Sequence, residues 1–184
     1  MKTNIFDRAK TALCILAGTI TPNDGIGLKG YWDLKITRAD GSVEEYTREN
    51  IVTATGMNRI ADLALAANVV SAFNYIVVGT NTGAPADTDT QAQMGEVTNG
   101  RKAASLKVQS REWISLTCTY AGNTDALTGI ALDSAAISDY SLSSASTGLI
   151  ANRVNGMAVT LQASDFLNLT VRIRVGSHNQ AHST

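Results

Sequence analysis

Polar and apolar positions alternate most regularly in YWDLKITRADGSVEEYTRE, residues 31–49. Trp32, Leu34 and Ile36 alternate with Asp33, Lys35 and Thr37, a period of two that predicts a half-buried strand. Asp40-Gly41 predicts the reversal. Val43, Glu45, Thr47 and Glu49 then alternate with Glu44, Tyr46 and Arg48, so the pair reads as a hairpin with one wet face. The period changes next. Met57, Ile60, Ala61, Leu63, Ala64 and Ala67 recur at three and four, which predicts an amphipathic helix over 56–67 with Thr55 as its cap. So short a helix needs a sheet to lie on. Tyr75–Val78 is continuously apolar and predicts a strand buried on both faces.

Residues 79–100, GTNTGAPADTDTQAQMGEVTNG, read as a long polar loop, a kind of segment that often meets a neighbour or a ligand. Ala104, Leu106 and Val108 predict the apolar face of a further strand. In the next, Ile114, Leu116, Cys118 and Tyr120 alternate with Trp113, Ser115, Thr117 and Thr119. Shorter strands are expected within 127–136 and, broken at a glycine, within 149–161. Leu167, Leu169, Val171, Ile173 and Val175 alternate along the last strand. The expected fold is mainly β: an antiparallel sandwich or barrel of seven or eight strands with one short amphipathic helix.

At the N-terminus, Ile5, Ala9, Ala12, Leu13 and Leu16 share a helical face. Residues 1–29 therefore read as a short helical arm and linker, 30–176 as the β domain, and 177–184 as a polar tail.

Composition adds a soft constraint. Charged residues make up 17% of the chain and aromatic residues 5%, with Ser, Thr, Asn, Ala and Gly in their place. A weakly charged exterior suits a surface partly covered by partners, and equally an extracellular β protein. Net charge is −1, so no basic field draws nucleic acid. The apolar run Ala12–Ala17 is too short to span a bilayer, and no export signal is read.

Chemistry is sparse. Gly56 alone does not make a dinucleotide or phosphate loop before the helix. Both histidines, His178 and His182, lie in the tail, away from any folded active site. Cys14 and Cys118 read as two reduced, buried thiols, with a single bridge between them left open. Asp87 and Asp89 suit a calcium loop or, more simply, a turn. Trp113 and Tyr120 suit stacking on a sugar, or core packing. No catalytic, cofactor-binding or metal-binding residue is assigned, and the chain is not expected to be an enzyme.

Two segments together carry a resemblance. NIVTATGMNRIADLAL (50–65) and YIVVGTNTGAPADTDT (75–90) resemble a pattern in small structural proteins of tailed bacteriophages. In that pattern a strand ends in N-[IL]-V-T, a glycine and a helix follow, and then V-G-T leads into A-P-A and T-D-T. The similarity extends over residues 30–176. The chain departs from it at Gln91, in the longer EVTNGRK, and in TGIAL, which lacks the usual glutamate.

The resemblance implies a non-enzymatic virion component, assembled in the host cytoplasm. With no repeats and no long shaft, a capsid decoration or cement protein is preferred, and a tail, neck, baseplate or fibre protein is the alternative. Implied partners are the major capsid protein or tail and neck proteins, and further copies of the chain, with a trimer among the options. No nucleic acid, membrane or cofactor is implied. Candidate partner contacts are Ile5, Phe6, Leu13, Ile15 and Leu16 on the arm, and Thr80, Asn81, Pro85, Asp87 and Asp89 on the loop. A carbohydrate-binding module using Trp113, Tyr120, Asp87 or Asp89 stands as a second alternative.

Overall fold

The computed structural model describes residues 26–58, 73–89, 91–110, 113–139 and 150–177. The strands run β1 (Ile26–Thr37), β2 (Val43–Val52), β3 (Tyr75–Gly79), β4 (Glu96–Ala103), β5 (Leu106–Ser110), β6 (Trp113–Ala121), β7 (Ala131–Leu132), β8 (Ser134–Ser138), β9 (Ile150–Val154), β10 (Val159–Thr160) and β11 (Phe166–Ser177). Nine of them form one curled antiparallel sheet, a half-barrel in the order β4-β3-β8-β9-β2-β1-β11-β6-β5, and β7 pairs with β10. The mainly β expectation holds. The strands are more numerous than expected and belong largely to this one sheet.

Alternation sets the register. Across β1, β11 and β6 the aligned rows are Trp32–Val171–Leu116, Leu34–Leu169–Cys118 and Ile36–Leu167–Tyr120, all buried. The opposite face carries Tyr31–Arg172–Ser115, Asp33–Thr170–Thr117 and Lys35–Asn168–Thr119. A period of two thus gives these strands one dry and one wet face. Ile76, Val78, Ala135, Ile137, Ala151 and Val154 of β3, β8 and β9 complete the main core from the other side. Val77, Ala136 and Ile150 point away from it and bury a second cluster with Met94. β3 is therefore buried on both faces, as its unbroken apolar run predicts.

Two corners curl the sheet. β2 pairs with β1 over residues 43–50, then with β9 through Ile51 and Val52. β4 pairs with β3 up to Ala103, yet Leu106 already pairs with Thr117 of β6. The chain therefore crosses from one edge of the sheet to the other in three residues. Tyr120 braces this closure from inside, its hydroxyl 2.7 Å from the Ile76 carbonyl and 3.1 Å from that of Gly100.

Several boundaries differ from the sequence reading. β1 begins at Ile26, so the strand includes part of the expected linker. Thr53, not Thr55, caps the helix: it is helical over 54–58, the Gly56 amide donates to Thr53 Oγ1 (3.0 Å), and the Met57 amide to the Thr53 carbonyl. The rest of that helix, 59–67, lies outside the described residues. The loop is shorter than 79–100, since Gln91–Met94 forms a 3-10 turn and β4 starts at Glu96. Ala104 lies in no strand, and Leu106 and Val108 are 56% and 43% exposed rather than core. The arm 1–17 and the tail beyond Ser177 lie outside the described residues.

Candidate functional site

Residues 50–56 and 79–89 meet at one polar node where β2, the helix start, the loop after β3, and β9 converge. Asn50 sits at the β2 corner. With its carboxamide oxygen toward the indole, it accepts from Trp32 Nε1 (3.2 Å) and from Asn152, and its nitrogen donates to the Gly30 carbonyl. Val52 turns inward and Thr53 is fully buried, its hydroxyl donating to the Ile150 carbonyl. At Gly56 an added Cβ would lie 2.2 Å from the Ala151 carbonyl oxygen, so the helix reaches β9 only with glycine there. Gly79 is equally tight, 2.0 Å from the Met94 carbonyl oxygen.

The loop is strapped at both ends. Asp89, 8% exposed, accepts from Arg153 Nη1 (2.7 Å) and from the Ala86 amide (2.9 Å). Arg153 Nη2 and Asn155 Nδ2 donate to the Gly83 carbonyl, and the Asp87 carbonyl accepts from the Ala54 amide (2.7 Å). A guanidinium this deep needs a paired anion, and Asp89 supplies it. The Asp89 side chain is thus built into the fold. Thr80 and Asp87 are exposed, and Asn81 and Pro85 half-buried, so these four form the accessible part of the loop set. Ile5, Phe6, Leu13, Ile15 and Leu16 lie outside the described residues.

A second buried pair explains the longer EVTNGRK. Between Val77 and Gly79 of β3, β4 runs from Arg101 back to Glu96, so extra residues bulge out of the ladder. Arg101 and Glu96 join across the neck of the bulge at 2.8 and 3.1 Å, with side chains 2% and 3% exposed. Asn99 occupies the left-handed region at φ 60°.

Trp113 stays at the surface, but Arg172 and Arg174 lie 5.8 and 5.9 Å from its ring centre. Arg172 also stacks on Tyr31 and pairs with Asp33 (2.7 Å). Tyr120 is wholly buried, so of the aromatic residues named for sugar stacking only Trp113 is accessible, and cations already flank it. A shallow hollow on the wet face is lined by Asp33, Lys35, Glu45, Thr47, Asn168 and Thr170. Its side chains bond to their neighbours: Thr47 to Asp33, Lys35 to Glu45, Thr170 to Thr117, and Asn168 to Thr119.

Cys118 is a buried free thiol, and burial raises its pKa. Among the described residues, no three of His, Cys, Asp and Glu gather as metal ligands, and no helix is long and apolar enough to cross a membrane.

The features that sequence reasoning missed are the sheet edges. β5 is exposed at every position. Among the described residues, β2 is free on one side over residues 43–50, and β4 ends the sheet. No signal in the sequence marks this edge: a strand with no buried face reads like one with a core face whenever its outward residues are apolar, as Leu106 and Val108 are. No family model, curated protein or solved structure matches the chain.

Proposed function

We propose that the chain is a non-enzymatic structural component of a tailed-bacteriophage virion, a capsid decoration or cement protein that binds neighbouring subunits. One observation carries the reading. The residues that make up the phage-like pattern are used inside the fold: Asn50 and Thr53 bond across strands, Gly56 and Gly79 permit close backbone approach, and Asp89 neutralises Arg153. A pattern spent on architecture is what relatives sharing a scaffold would hold in common, with binding left to the loops and edges around it. Val43, Tyr46, Leu106, Val108, Ile114 and Phe166 are large apolar side chains exposed on this scaffold, and they supply contact area for such partners.

The test is localisation and copy number in purified particles, by labelled-antibody imaging and quantitative mass spectrometry. Hundreds of copies on the head fit decoration, and a dozen or fewer at one vertex fit the neck, tail or baseplate alternative. Absence from particles overturns both. Within the decoration reading the arm docks on a neighbour, so a chain lacking residues 1–17 folds but is not incorporated. Normal incorporation of that truncation removes the arm from the account.

A further inference from the structure

We propose that β5 is a pairing edge on which a second copy of this chain docks antiparallel, about a two-fold axis at Val108. This names one partner surface, and it rests on the virion reading only for where the pairing is used.

Among the described residues, β2 over 43–50, β4 and β5 each leave an edge unpaired, and the first two are guarded. The β2 edge carries Glu44, Glu45, Arg48 and Glu49. The β4 edge is broken by its bulge, with Asn99 left-handed. Charges and bulges are the usual means of keeping a foreign strand off an edge. β5 has no bulge and a single charge, Lys107, whose ammonium is turned to Asn74 Oδ1 (2.7 Å), and it exposes Leu106 and Val108. Every second residue of such an edge turns its amide and carbonyl away from β6 and toward any strand that arrives.

Self-pairing also solves the charge problem in one register. A two-fold axis at Val108 sets Leu106 opposite the partner's Ser110, Lys107 opposite the partner's Gln109, and Val108 against its own copy. An axis at Lys107 opposes two ammonium groups, and one at Gln109 pairs only Val108–Ser110 within the strand. An axis at Leu106 wastes half the strand on the 104–105 corner, whose amides already donate to the Asn74 and Thr117 carbonyls. The Val108 register thus uses all of β5 and opposes no like charges. It also lays Leu106 over the small Ser110 of the partner, toward the Trp113 that pairs with that serine.

Five residues make a weak interface alone, and many such contacts on one particle add by multivalency. The full-length chain is therefore expected to show a monomer–dimer equilibrium in sedimentation across a wide concentration range. Val108→Lys and Val108→Glu each weaken association roughly tenfold or more, and an equimolar mixture of the two re-associates, because the axis sets lysine against glutamate. In a Cys14→Ser background, Val108→Cys cross-links on oxidation, since directly opposed residues lie about 4.5–5.5 Å apart, within disulfide reach. Val43→Cys, exposed on the guarded β2, does not. Circular dichroism of each variant checks that the sheet is intact. A monomer at all concentrations, a trimer, equal cross-linking at Val43, or a mixture no stronger than its components overturns the proposal. Pairing by a chain absent from particles sinks the virion reading and leaves the edge; incorporation without pairing does the reverse.

Discussion

At the scale of single residues, buried charge is the sharpest feature. Arg153 is 2% exposed and depends on Asp89 for a countercharge. Asp89→Ala leaves that guanidinium desolvated and unpaired, so unfolding free energy should drop by about 3–5 kcal/mol. Asp89→Leu combined with Arg153→Met should recover much of the loss, which urea titration of the three chains will show. Asp165 is a milder case. Its carboxylate accepts from the Gln162 amide, Arg38 Nη1 and the Ala39 amide, joining the hairpin turn to the β10–β11 loop. The Gln162 amide first, then Arg38 and Ala39, hold its pKa below the usual aspartate value. A depressed folded pKa stabilises fully above the unfolded value of about 4, and the gain disappears as pH falls through the folded one. Stability should therefore decline below that pH, and Arg38→Met should reduce the difference between neutral and acid unfolding midpoints.

Elements show which patterns a single chain can reveal. β1, β6 and β11 were legible because each has one wet and one dry face, and the Asp40-Gly41 reversal was legible because Gly41 sits at φ 84°. β3 was legible as a strand with no polar face. The apolar row of β5 is legible as a row but not as one that faces water, because alternation does not say which side is inside. The first part of β4 reads as loop in the sequence because its bulge interrupts the period. The loop residues of the candidate site were visible as a polar segment, but not that Asp89 turns inward, since its partner lies 64 positions away on β9. The helix start was legible to within two residues. Thr53 outcompetes Thr55 because its hydroxyl also reaches the Ile150 carbonyl, joining helix and sheet with one side chain. Thr53→Ala removes both bonds and should cost about 1–2 kcal/mol, whereas Thr53→Ser should keep most of the stability and Thr55→Ala should barely register in thermal melts.

For the molecule as a whole, the order of strands in the sheet matters more than their number. β11, last in sequence, lies between β1 and β6 and pairs with both along its length. It contributes Leu167, Leu169, Val171 and Ile173 to the middle of the core. A chain ending before Phe166 lacks the strand that joins β1 to β6 and should stay unfolded by near-ultraviolet circular dichroism. A synthetic peptide of residues 166–177 added to the 1–165 fragment should restore the native spectrum; a fragment already folded without the peptide would show that the gap closes without it. The same placement sets when the protein acquires its shape. A ribosome must extrude residues 166–177 before this strand can slide home, so the sheet closes only once β11 has left the exit tunnel, and products terminated before Phe166 emerge with an open slot awaiting a strand they do not possess.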